Sequence, residues 1–377
     1  MKIIIAIDSF KGSLTSMEAA QAIQAGILKA LPHCHTVLIP MADGGEGMLS
    51  IMLEVTKGKK QTVSAHNPCM KIIPTEYGIS ADGRTAFIEM ASISGLPLIS
   101  EKERNPMKTT TFGTGELIRD ALNKGCTEFI IGIGGSATND AGIGMLQALG
   151  FRFMDAAGKE LGAGGEMMEK VDSIDDASIH PKLRDAHFVV ACDVQNPFYG
   201  PNGAAHVYAR QKGADDAMIA TLDKGLRSFA QILQKETGKD IGPIPGSGAA
   251  GGMGGGMMAL LNAELRSGAD LLLDVCHFKE RIADASLIIT GEGKIDRQSL
   301  MGKIPGKILQ AGQAEGIPVI ALAGCVEDEE ALKAAGFESI YAAKPKEMPL
   351  EEAIKKDVAM KNIESAVELI IHSIVDK

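Results

Sequence analysis

The sequence predicts an α/β protein: a doubly wound parallel sheet of the flavodoxin or Rossmann kind, with a second, mixed α/β domain inserted into it. Three observations carry that prediction. The chain opens on an apolar run, a helical stripe and another apolar run, which together read as a βαβ unit. The C-terminal part repeats the same alternation. Between them lies a stretch of different texture, hairpin-like at first and then dense in glycine.

The elements follow in order. Lys2–Asp8 is continuously apolar and ends in an acid, the pattern of a parallel strand buried on both faces. Thr15 and Glu18 have capping-box spacing, and Ala20, Ile23, Ile27 and Leu31 form a helical stripe behind them. Thr36–Met41 is a second strand. Residues 61–90 read as short strands joined by turns at Asn67-Pro68 and Asp82-Gly83. Two strand-to-loop transitions follow, Phe129–Ile133 into Gly134-Gly135 and Phe188–Cys192 into Asp193. A helical pattern spans Met257–Leu265. Strands are expected at Leu287–Thr290, Val319–Ala323 and Ser339–Ala342. Ile354, Val358, Ile363, Val367, Ile370 and Ile374 mark a closing amphipathic helix. The sheet domain is therefore expected at 1–61 plus 283–377, and the inserted domain at 62–282.

Composition narrows the function. The net charge of −10, without a Lys/Arg-rich block, disfavours a nucleic-acid partner. No run approaches the ~20 apolar residues of a membrane span. Asp8 interrupts the N-terminal apolar run well short of a signal-peptide core, so a cytoplasmic protein is expected. The six cysteines are far apart with no CxxC, and read as small buried hydrophobes. Glycine stands out: 44 of 377 residues, against about 7% on average. These glycines gather in motifs, where backbone must approach something closely.

Ligands of open parallel sheets bind beyond the carboxyl ends of the strands, and here five such ends are polar. Asp8-Ser9-Phe10-Lys11-Gly12 offers an acid and a cation for phosphate or carboxylate, or simply a cap and a solvated lysine. Asp43-Gly44-Gly45-Glu46-Gly47 places two carboxylates among three glycines, suited to Mg²⁺ or a hydroxyl, or to helix capping. Gly132-Ile133-Gly134-Gly135-Ser136-Ala137 matches a dinucleotide fingerprint, with Asp155 at about the right distance. Its continuation, Thr138-Asn139-Asp140-Ala141-Gly142, is too polar for the apolar helix of such a site, and suits phosphate or carboxylate more generally. Asp193 ends an apolar strand just ahead of Asn196-Pro197. It reads as a turn residue or as the base that phosphoryl transfer needs. Gly246-Ser247-Gly248, followed by Gly251-Gly252, reads as backbone cradling a polyphosphate. Lys294 and Asp296 pair a cation with an acid. No P-loop signature occurs.

Taken together, these segments resemble the bacterial glycerate kinase family, type 1, from end to end. The signatures are Asp8 to Gly12, Ala42 to Gly47, Gly132 to Asp140, Ala191 to Val194 with Asn196-Pro197, Pro245 to Gly252, and Thr290 to Asp296 with Gln298-Ser299. The resemblance implies ATP- and Mg²⁺-dependent phosphorylation of D-glycerate in organic-acid catabolism, with 2-phosphoglycerate as the product. The chain departs from the family pattern twice. Cys69-Met70 replaces the usual Leu-Gly, and Ala141 replaces a glycine, which suggests ordinary φ at 141.

On this reading Asp193, Asp296 and Lys11 are the catalytic candidates. Asp8, Ser9, Lys294, Asn196, Ser136 and Asn139 would bind substrate. Gly246, Ser247, Gly248, Gly251, Gly252, Gly134 and Gly135 would hold the nucleotide, and Asp43 and Asp140 the metal. Substrates are expected to meet in a cleft between the two domains of a monomer or homodimer. The competing readings are an NAD-linked hydroxy-acid dehydrogenase using Gly132–Ala137, and a non-catalytic sugar-acid-binding regulator.

Overall fold

The computed structural model describes residues 1–42 and 47–375. The chain forms two compact units, one of Met1–Ile51 with Gly268–Lys377, the other Met52–Ser267.

The first unit is built on a five-stranded sheet in the order Ser339–Ala342, Val319–Ala323, Leu287–Gly291, Lys2–Ile7, His35–Leu38. All its strand pairs are parallel. Numbered within the unit the order is 2-1-3-4-5, the flavodoxin-like winding, whose switch point lies between the first and third strands. Both faces are covered, as the unbroken apolar runs require. Ile3, Ile5, Ile7, Leu287 and Ile289 share a core with the helices Ser16–Ala30 and Lys356–Val375. On the opposite face the helix Ile304–Ala314 packs so closely that a Cβ on Gly312 would lie 2.3 Å from Val319 Cγ2. The capping box of Thr15 and Glu18 forms as read, with Glu18 N donating to Thr15 Oγ1 over 3.2 Å.

The second unit carries a six-stranded mixed sheet in the order Glu264–Arg266, His187–Ala191, Glu128–Gly132, Thr85–Glu89, Ile72–Ile79, Lys59–His66. The first four strands are parallel to one another, and the last two extend the sheet antiparallel as a hairpin. Two outcomes differ from the sequence pattern. The helix near 257 runs Met253–Leu260, with three glycines inside it, and Glu264–Arg266 is a strand. The 22-residue helix Asp216–Thr237 was not anticipated, although Asp215 caps it and Gly238 ends it in the left-handed conformation. Among the described residues, no helix is long and apolar enough to cross a membrane.

Candidate functional site

In the second unit, strand register lines up the ligand end. Glu89 pairs with Gly132, Gly132 with Ala191, and Ala191 with Arg266. Two residues beyond that row, Gly134 and Asp193 follow the ends of adjacent strands, and both are exposed. Gly135 is exposed as well, with φ +72. Among the described residues, no backbone acceptor takes the amides of Gly134 and Gly135. Asp193 and these amides thus lie on loops that leave adjacent strands at the same edge, and backbone donors there suit an anion. A cavity of about 730 Å³ in this unit lies at the other end, beside His187 and Glu264, where the strands begin.

Beneath the edge sits a lysine that the sequence motifs did not reveal. Lys212 is 1% exposed, and its Nζ donates to Ser136 Oγ over 2.8 Å and to Thr138 O over 2.6 Å. Burial pushes its amine down to about 7, against the attraction of Asp140. A neutral amine has two N–H groups, enough for both bonds. Its sequence context, Arg210-Gln211-Lys212-Gly213, is polar and gives no sign of burial. Ser136 thus faces Lys212, and only its loop, not its hydroxyl, reaches the edge.

Asp140 serves this loop rather than a metal. It is fully buried, and its carboxylate accepts from Thr111 N at 2.8 Å and Thr111 Oγ1 at 2.9 Å. Gly142 N and Gly144 N complete the set at 3.2 and 3.3 Å. Desolvation pushes its pKa up despite these donors. Asn139, expected to bind substrate, is also fully buried, and neither end of its carboxamide has a partner among the described residues. Ala141 overturns its expectation: φ is +52 there, and Met70, the other departure from the family pattern, has φ +59. Both side chains occupy the left-handed region that glycine enters without strain.

The glycine run at 246–256 also has a different explanation. Gly246, Ser247, Gly248, Gly251 and Gly252 are all buried. Ser247 N donates to Ile244 O, Gly248 N to Asn196 O and Gly252 N to Gly248 O, so these amides are engaged within the protein. A Cβ on Gly248 would stand 2.2 Å from Pro197 O, and one on Gly251 2.3 Å from Thr138 O. The glycines let three loops press together, which corrects the reading of this run as an open phosphate cradle. Asn196 belongs to the same packing, its Nδ2 donating to Asn202 O over 2.9 Å and its Oδ1 accepting from Tyr208 OH over 2.5 Å.

In the first unit the polar strand ends gather at the switch point. Asp8 is buried, and its Oδ1 accepts from Ser9 N over 2.6 Å, while Lys11 is exposed on the following loop. Lys294 Nζ lies 2.9 Å from Glu327 and 3.8 Å from Asp296, and Glu327 holds its amine above the ordinary range. Asp296 is a cap: Gln298 N donates to its Oδ1 over 2.8 Å, and its own N–H donates to Ser299 Oγ. Its carboxylate is therefore partly committed to the turn. The sequence reading passed over Glu292, which accepts from Ser299 Oγ over 2.6 Å and lies 3.9 Å from Lys303. Asp43, with Gly44, Gly45 and Glu46, lies outside the described residues. Among the described residues, no three His, Cys, Asp or Glu side chains gather as a metal cage.

The dinucleotide reading of Gly132–Ala137 fails on geometry. The helix begins only at Ile143, not directly after the glycines, and Asp155 accepts from Ala157 N and Lys159 N of its own turn, both at 2.9 Å. Two α/β units with charged groups at their carboxyl edges are the arrangement in which such folds bind ligands. Comparison with known proteins gives the particular kind. The glycerate kinase family model matches residues 3–375. A glycerate kinase of Halalkalibacterium halodurans is 44% identical over 94% of this chain and 93% of its own. The glycerate 2-kinase of Escherichia coli is 44% identical with the same coverage. A crystal structure of a Salmonella typhimurium LT2 protein assigned as glycerate kinase 2 superposes with a TM-score of 0.90 at 41% identity, covering 100% of this chain and 98% of that one. The chain belongs to the glycerate kinase family.

Proposed function

We propose that this protein transfers the terminal phosphoryl group of ATP to D-glycerate, giving 2-phosphoglycerate and ADP in organic-acid catabolism. The observation that carries this reading is the exposed Asp193 beside Gly134 and Gly135 on the carboxyl edge, in a chain of this family. Asp193 orients the glycerate hydroxyl and takes its proton as the hydroxyl oxygen bonds to phosphorus. The bond from phosphorus to the bridging oxygen of ADP then breaks. The amides of Gly134 and Gly135 hold anionic oxygens, and Lys212 keeps their loop in shape from below. In the first unit, Lys11 and Lys294 offer positive charge to phosphate. Asp193 stays ahead of Asp296 as the base, since Asp296 caps its own turn.

Mg²⁺, when bound with the nucleotide, neutralises phosphate charge. It commonly takes only one or two protein carboxylates, the remaining positions being phosphate and water. Asp8 and Glu292 in the first unit, and Asp193 in the second, are the strand-end carboxylates from which such a ligand would come. The protein works in the cytoplasm on small molecules, as a monomer or homodimer, without nucleic acid or membrane.

The test is incubation with ATP, Mg²⁺ and each glycerate enantiomer, followed by ³¹P NMR. D-glycerate should give 2-phosphoglycerate, and ADP release should need glycerate and metal together. ATP hydrolysis at a comparable rate without glycerate would sink the assignment. Asp193→Asn should lower kcat by about 10²-fold or more with glycerate binding largely kept. An effect confined to KM would reduce Asp193 to a binding group.

A further inference from the structure

The switch point of the first unit opens into a cavity of about 500 Å³, within the size range of sites that enclose a small organic ligand. Its walls are of two kinds. One end carries Lys11, Lys294 and Lys303 next to Glu292. The other is a shelf of aliphatic side chains, among them Leu350 and Ile354. These two are four residues apart at the short helix Leu350–Ala353, hence on one face of it, and they stay 66% and 41% exposed. Two branched aliphatics on one wall of a cavity give a ligand an apolar surface to cover. Lys344 secures this wall, its Nζ donating to Met348 O over 3.0 Å and to Pro345 O over 3.1 Å.

We infer that this cavity is the docking site of the nucleotide, with the base on Leu350 and Ile354 and the phosphates toward Lys11 and Lys303. This rests on the kinase reading above. Of the two substrates, only the nucleotide has a flat apolar part for the shelf and a charged tail for the lysines. Glycerate, a three-carbon acid with two hydroxyls, offers nothing to an aliphatic surface and would leave most of the volume empty. The topology agrees, because the crevice outside the switch point is where this winding order places a mononucleotide. The assignment moves the nucleotide away from the packed glycines at 246–252 and leaves the Asp193 edge for the acceptor.

The test titrates the full-length protein with N-methylanthraniloyl-ADP by fluorescence, without glycerate, and follows the melting temperature with ADP. Leu350→Asp and Ile354→Asp should each weaken the fluorescent nucleotide at least tenfold and abolish the ADP-induced thermal shift. The thermal shift given by glycerate should remain. Lys303→Gln serves as a second variant that spares the shelf: it should weaken the diphosphate several-fold and leave competition by adenosine unchanged. Variants that bind nucleotide as the parent does, and still release ADP with glycerate, would place the nucleotide elsewhere while leaving the kinase intact. A parent protein that neither binds nucleotide nor releases ADP would overturn both this site and the function on which it rests.

Discussion

Met70 and Ala141 show what a single side chain costs when the backbone around it is already decided. Both hold positive φ, 59 and 52, where a Cβ crowds the following carbonyl. Met70 is 46% exposed, so its side chain contributes little packing to offset that strain. Met70→Gly should raise stability by about 0.5–1 kcal/mol, the strain relieved less the extra freedom of glycine in the unfolded chain. A higher urea midpoint at an unchanged slope would show it, and a lower midpoint would mean the strain is absent. Lys212 supplies the second test at this scale. Its folded pKa of about 7 lies below the ordinary value of 10.5. Between those values the unfolded chain holds a proton that the folded chain has shed, so stability rises with pH through that window. Below it the folded state carries the cost of a buried ammonium, offset in part by Asp140 and by the bonds to Ser136 and Thr138. The stability difference between the parent and Lys212→Met should therefore shift in the parent's favour as pH goes from about 6.5 to about 9. A pH-independent difference would mean the amine stays in one protonation state throughout.

At the scale of elements, the glycine run at 246–256 separates two explanations that look alike in one dimension. The helix Met253–Leu260 tolerates three glycines because larger residues cannot fit: a Cβ on Gly255 would lie 2.6 Å from Phe198 and one on Gly256 2.1 Å from Ala141 O. Packing overrides helix propensity here. Gly251→Ala should accordingly destabilise the protein by about 2–3 kcal/mol, the scale of overpacking, since the new methyl meets backbone that cannot rotate away. The melting temperature should fall, and affinity for ATP and glycerate should fall alike. A loss of ATP affinity alone, at an unchanged melting temperature, would restore the run as a phosphate cradle.

Among the described residues, each unit has a hydrophobic core of its own. One gathers Tyr77, Phe129, Phe153 and Phe229 in the second unit, the other Ile3, Ile5, Ile23 and Ile363 in the first. Each core is large enough to unfold cooperatively by itself, so calorimetry should give a total enthalpy larger than the van't Hoff enthalpy of the transition. Equal enthalpies would mean that neither core melts alone.

Much of this protein was legible from residue order. Apolar runs ending in acids gave the parallel strands, because a strand buried on both faces admits few polar residues until it leaves the sheet. Thr15 and Glu18 gave a helix start, and the spacing of Asn67 and Asp82 gave the hairpin. Asp193 was visible as an acid at a strand end. What stayed hidden depends on contacts between segments far apart in the chain. Lys212 becomes a buried support only because its helical turn packs under Ser136 and Thr138, 76 and 74 residues away. Leu350 and Ile354 become a shelf only because five parallel strands order themselves 2-1-3-4-5 and leave a crevice there. Glycine density alone could not distinguish backbone approaching a ligand from backbone approaching backbone, since both demand the missing Cβ. The sequence by itself determined most of the parallel strands, the polar strand ends and the family. The tertiary structure decided which polar groups face solvent, because burial is a property of neighbours that local order does not specify.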